Sequence, residues 1–153
     1  MTTEFRVRRA QATDAHQLAR LRWEFKQEEH GGGHAEARPE ARAAAWISER
    51  LGSGRWLAWV AECDAGIRGH VFLNLVERVP EPYEENTPIG YVTNFYVDVR
   101  YRNRGFGTAL LRAVREHAGE RGVDVLFVWP SERSVPIYRR AGFRPPGEML
   151  EAR

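Results

Sequence analysis

A single cysteine, Cys63, stands in this chain of 153 residues, so no disulfide can close within it and the chain suits a reducing compartment. Lysine is equally scarce. Lys26 is the only one, and the remaining cations in a Lys+Arg total of 23, against Asp+Glu 21, are dispersed arginines. With a net charge of +2 there is no basic block or tail that calls for a nucleic-acid partner, despite a pI near 9.0. Neither a signal-like segment nor an apolar run long enough to cross a bilayer is present, so the expectation is a cytoplasmic protein without a membrane partner. No internal repeat or linker divides residues 1–153, which reads as one domain able to bury roughly 70% of its extended surface, and the apolar fraction of 42% supports a packed core.

The elements follow from periodicity. Phe5 to Arg9 alternates as a half-buried edge strand, and Thr13 or Asp14 can cap a helix carrying Leu18, Leu21, Trp23 and Phe25. Lys26 to Pro39 reads as a polar loop or substrate lid. Its His30 and His34 flank three glycines that fix no ligand geometry, and no third ligand is near, so no metal is assigned. Pro39 opens a helix over Glu40 to Leu51; Trp56 to Glu62 and Ile67 to Val79 form a hairpin around Asp64-Ala65-Gly66; Pro80 to Pro88 is a loop; and Ile89 to Val97 is a central strand apolar enough for burial on both faces. A helix then carries Ala109, Leu110, Leu111, Val114 and Ala118. Val123 to Trp129 reads as a strand, Ser134 to Ala141 as a helix, and Phe143 as the start of a last strand.

The stretch from Val97 to Leu111 runs from apolar strand through an Arg- and Gly-rich turn into an amphipathic helix, an order that makes an anion site. Gly105 and Gly107 remove side chains where a phosphate must approach, and Arg102 and Arg104 can add charge-assisted bonds. On that reading Gly107→Val abolishes phosphate binding and leaves the fold mostly intact. A Walker loop is excluded because Thr108 follows Gly107 directly, and a dinucleotide fingerprint is excluded because Leu110 stands where a third small residue belongs. The remaining Arg-x-x-Gly-x-Gly, at Arg102, Gly105 and Gly107, resembles the pyrophosphate loop of the GNAT (Gcn5-related N-acetyltransferase) family. A second stretch, Ser134 to Phe143, resembles the family's last helix, with Tyr138 followed by the pair Gly142-Phe143.

This resemblance implies a single-domain α/β fold with a mixed, mostly antiparallel sheet flanked by helices and splayed between the central strand and the parallel strand after it. It implies acetyl-coenzyme A as donor, its pantetheine paired with backbone groups of Phe95 and Val97 and its pyrophosphate on the loop Arg102, Asn103, Arg104, Gly105, Phe106, Gly107 and Thr108. An amide near Tyr96 or Val97 would serve the developing oxyanion, and Tyr138 would give a proton to the departing thiolate. Ser131 stands where many members carry an asparagine, and with Ser134 it is counted among the cofactor contacts. Tyr91 stands where many carry a basic glutamate, so the base is open among Glu77, Asn94 through a water, and Glu84 or Glu85.

The implied reaction is direct N-acetylation of a primary amine of a small molecule, drawn as a cation to the acidic loop Glu81 to Glu85. Acetylation of a protein lysine or N-terminus and a non-catalytic coenzyme-A sensor are the alternatives. Cys63 lies in the hairpin turn with no histidine placed to activate it, which argues against a covalent acyl-enzyme. The resemblance and the exposed edge strands also suggest a homodimer.

Overall fold

A computed structural model describes residues 3–31, 39–83 and 87–153. Strand alternation explains why its sheet is covered on both sides. In β2 (Trp56–Cys63), Leu57, Trp59 and Ala61 are buried in one core, while Ala58 and Val60 are buried in another on the opposite face. The first core is closed by α3 (Phe106–Glu120), through Phe106, Leu110, Leu111 and Val114. The second is closed by α1 (Ala15–Glu29) and α2 (Pro39–Leu51), through Leu18, Leu21 and Ile47. Each fully buried leucine stabilises the fold by roughly 1.5–3 kcal/mol.

The sheet runs in the order β1-β2-β3-β4-β5, with β1 (Arg6–Arg9), β3 (Gly66–Val76), β4 (Ile89–Val97) and β5 (Leu126–Phe127) added to β2. All neighbours are antiparallel except β4 and β5, which pair in parallel at only Gly90↔Leu126 and Tyr91↔Phe127. Past Tyr91 the two strands part, so the expected splay is present. A short α4 (Val135–Arg140) follows β5.

Several boundaries differ from the sequence reading. α1 continues through Lys26 to Glu29, supported by a Lys26–Glu29 ion pair at 3.0 Å, and the chain leaves the helix near Gly31, whose φ is 70°. The proposed lid is therefore helical at its start, and His34 lies outside the described residues. β3 ends at Val76 rather than Val79, and β5 is two residues long because the diverging strands offer its flanks no ladder partner. No strand follows Phe143 among the described residues; Pro145 and Pro146 have no amide hydrogens to give a ladder.

A bulge re-phases β4. Gly90 donates its amide to Val125 O (2.9 Å) on the β5 side, whereas Asp98, eight residues on, donates to Arg68 O (2.8 Å) at the β3 side. In an unbroken strand, residues eight apart point the same way. The extra residue lies where the register shifts between His70↔Tyr96 and Phe72↔Thr93, and there Asn94 takes φ 51°. His70 holds the bulge: its Nδ1 is 2.5 Å from Asn94 O, and since a carbonyl only accepts, Nδ1 carries the proton. The ring is wholly buried, and burial lowers its pKa from 6.5 to about 4, so it is neutral.

Gly107 departs from its expected role. A Cβ there would lie 2.7 Å from Ile137 Cδ1 and 3.0 Å from Phe95 Cζ, so its hydrogen faces packed side chains of α4 and β4 and not a phosphate. Gly105 is the conformational glycine, with φ 87° and open space around it.

Two outcomes follow from this packing. Gly107→Val overpacks the junction and should lower stability by roughly 1–3 kcal/mol or more, read as a shifted urea midpoint; an unchanged midpoint would return the glycine to a phosphate role. The second concerns acid. The neutral-His70 contribution is fully present above pH 6.5 and is lost as pH falls through about 4, because the unfolded chain takes up a proton that the folded chain refuses. Wild-type stability should drop across that window by up to roughly 3 kcal/mol, and His70→Gln should flatten the slope there; equal slopes would contradict it.

Candidate active site

The loop before α3 is shaped by its own bonds. Asp98, 2% exposed, accepts the Arg100 amide (3.0 Å) and two guanidinium bonds from Arg100, which hold its carboxyl below the ordinary range. A single 3-10 turn, Val99–Tyr101, leads through Asn103 (φ 61°) to Gly105, which caps α3 without a side-chain bond. The first helical bond of α3 is Ala109 N to Gly105 O at 3.0 Å. The amides of Phe106, Gly107 and Thr108 consequently face out of the helix end with its positive dipole. Phe106 itself is a core residue, stacked on Phe5 at 4.0 Å between centroids, so only its amide is free to serve a ligand.

The two arginines of the motif are turned elsewhere. Arg102 donates Nε to Val97 O (3.0 Å) and both terminal nitrogens to Glu28 of α1 (2.8 Å each). Arg104 donates to Thr3 Oγ1 (2.6 Å) and lies over the Tyr101 ring. Glu28 also accepts from the Tyr96 hydroxyl (2.9 Å) and from Arg133, which lies beyond β5. Arg102 is the main cause, helped by Arg133 and Tyr96, of a Glu28 pKa lowered from 4.5 to about 2. Glu28 is thus an ionised tie between α1, the α3 loop and the segment after β5, and too weak a base to take a proton from an amine. The sequence reading missed it because it placed Glu28 in a loop; the one available signal was the unbroken run of helix formers from Arg22 to Glu29.

The bulge decides which groups face the splay. Tyr96 is in register with His70, so its backbone belongs to the β3 ladder, while Phe95 and Val97 face the β5 side, where β5 no longer pairs. Carbonyl and amide of a trans peptide point oppositely. With Asn94 O turned to His70, the Phe95 amide is therefore directed away from His70. Of the backbone donors read from sequence, Phe95 and Val97 are brought to the gap and Tyr96 is not.

Tyr138 packs beside them, its ring 5.4 Å from Phe95 and 5.2 Å from Phe143. It is 4% exposed, and burial pushes its hydroxyl above the usual tyrosine range, so it stays protonated at neutral pH. Ser131 and Ser134 bond each other (3.0 Å between hydroxyl oxygens) at the start of the last helix. Tyr91 stacks on Phe127 at 5.2 Å, on the paired part of the two strands. Glu77 is not brought to this group. It follows Val76, opposite Ile89 at the far end of the sheet, pairs with Arg55 at 2.5 Å, and at ~3.3 Å per residue sits roughly 20 Å from the level of Tyr96. Glu84 and Glu85 lie outside the described residues.

Asn94 joins the gap to a cavity of about 410 Å³ on the other face, between α1, α2 and the sheet. Arg22, Arg42, Trp46, Trp56 and Phe72 line it with Asn94. A second hollow of about 560 Å³ lies beside Thr108 and is rimmed by Arg112, Arg115 and Arg140, with Glu116 the one carboxylate in its described lining. Among the described residues no three His, Cys, Asp or Glu side chains come together as metal ligands, and no helix is long and apolar enough to cross a membrane.

Comparison with known proteins agrees with this geometry. A predicted acetyltransferase from Clostridium acetobutylicum, solved with acetyl-CoA, superposes with a TM-score of 0.78 at 22% identity, covering 98% of this chain and 96% of that one. A GCN5-related N-acetyltransferase from Ralstonia eutropha gives 0.76 at 27% identity, over 97% and 98% of the two chains. The glucosamine 6-phosphate N-acetyltransferase of Trypanosoma brucei brucei is 34% identical over 56 residues, which are 37% of this chain and 38% of that protein. The match thus spans well under half the length of that curated relative. The model of the acetyltransferase (GNAT) family matches residues 15–143, from the start of α1 past Tyr138, and the chain belongs to that family.

Proposed function

We propose that the chain transfers an acetyl group from acetyl-coenzyme A directly to the amine of a small molecule. The observation that carries this reading is the open backbone edge at Phe95 and Val97, created by the bulge and set beside both a bare helix N-terminus and a protonated tyrosine.

Residues present fit the donor. The backbone of Phe95 and Val97, which β5 does not pair, suits the amides of pantetheine once Arg102 releases Val97 O. Amides of Phe106, Gly107 and Thr108 suit the pyrophosphate, and the arginine-rimmed hollow beside Thr108 suits a further phosphate. Acetyl-coenzyme A would supply an acetyl thioester. In the transfer the acceptor nitrogen forms a C–N bond as the C–S bond breaks, the sulfur gains one proton, and an acceptor arriving as ammonium loses two. The Phe95 amide suits the charge that develops on the carbonyl oxygen. The Tyr138 hydroxyl gives the proton to sulfur and recovers it from solvent, while the amine's protons leave through the cavity on the α1 side. Tyr138 is protonated at neutral pH, so its hydroxyl is available as a proton donor.

Thiol release from acetyl-coenzyme A, measured with a panel of amines, tests the activity; no release with any amine, in protein that binds the donor, would favour a sensor. Tyr138→Phe should lower kcat by about ten- to a thousandfold while the donor's KM moves only a few-fold. Wild-type turnover in that variant would reduce Tyr138 to packing.

A further inference from the structure

The cavity of about 410 Å³ contains two guanidinium groups and no carboxylate in its described lining. Arg22 uses only Nε, on Asn94 Oδ1 at 3.0 Å, which leaves its two terminal nitrogens without a described partner. Arg42, one helix away on α2, makes no described bond and is exposed. The apolar part of the wall includes Trp46 and Trp56, packed edge to face at 5.1 Å, and Phe72. A cavity of this kind disfavours a simple cation, since both fixed charges repel it. We propose, building on the transferase reading above, that the acceptor carries an anionic group, carboxylate or phosphate, as well as its amine: Arg22 and Arg42 bind the anion, the tryptophans flank the body, and the amine lies toward Asn94.

Chemistry supports the arrangement twice. Guanidinium groups form paired, charge-assisted bonds to carboxylate and phosphate, and two of them facing one cavity give a geometry that a neutral analogue cannot satisfy. With a carboxylate bound, the guanidinium charge that remains uncancelled still favours the unprotonated amine, the form able to attack a thioester, while Glu28 and Glu77 are unsuited as bases. This reading departs from the expected attraction of a cationic amine to residues 81–85.

The test uses two matched pairs, glucosamine with glucosamine 6-phosphate and tryptamine with tryptophan, so that phosphate and carboxylate are separated. Thiol release should give a kcat/KM at least tenfold higher for the anionic member of one pair. Arg42→Gln, whose exposed side chain makes no described bond, should cut that ratio at least threefold with donor affinity within twofold of wild type, and Arg22→Gln together with Arg42→Gln should abolish it. Calorimetric titration of the free protein with the same four compounds reads the preference without the donor. A preference for glucosamine and tryptamine, a ratio untouched by the double variant, or no anion-selective binding in the titration would each overturn the proposal. Failure of acetyl-coenzyme A to bind would instead strike the transferase reading.

Discussion

The hydrogen bond from His70 to Asn94 O governs how the end of β4 is used. Without the extra residue at Asn94, the alternation that points Gly90 toward β5 would point Tyr96 there as well, and Phe95 and Val97 would be consumed in the β3 ladder. A positive φ on a non-glycine residue costs about 1–3 kcal/mol, so the bulge needs support. His70 provides it from full burial, as a neutral donor, and Arg22 holds the Asn94 side chain from α1. One residue thereby links three features: the open edge, the cavity on the opposite face and the oriented Phe95 amide.

Glu28 sets the second constraint. Its carboxylate gathers Arg102, Arg133 and Tyr96, ties α1 to the α3 loop, and reaches across to the segment beyond β5. Arg102 simultaneously covers Val97 O, so without a ligand the motif arginine is a clamp on the edge. The outward-facing amides at the start of α3 are positioned from below by the Asp98–Arg100 pairing and Gly105.

Period and glycine chemistry made much of the fold legible. β4 runs over Ile89–Val97 as its apolar run suggested, Gly66 turns the hairpin at φ 104°, and the two helix faces bury the leucines their spacing places inward. What was not legible depends on contacts distant in sequence. The bulge arises between residues 24 apart, His70 and Asn94, and neither propensity nor alternation marks it. Glu28 looked like loop because Gly31 to Gly33 dominates its neighbourhood, while its partners are 74 and 105 residues away. The motif marks Gly107 but not its reason, since only packing against Ile137 and Phe95 shows where its missing side chain would point. The candidate site is half legible: Tyr138 packs on Phe95, and Val97 lies on the same strand end, whereas Glu77 stays at the other end of the sheet and Tyr96 turns to β3.

Amide-resolved NMR during an acetyl-coenzyme A titration addresses the central claim, that a donor lies along the edge opened by the bulge. The account predicts saturable shifts at the amides of Phe95, Val97, Phe106, Gly107 and Thr108, with the Arg102 Nε–H signal moving in step as it leaves Val97 O. Saturable binding that leaves those six signals in place, with shifts confined to other strands, would contradict it.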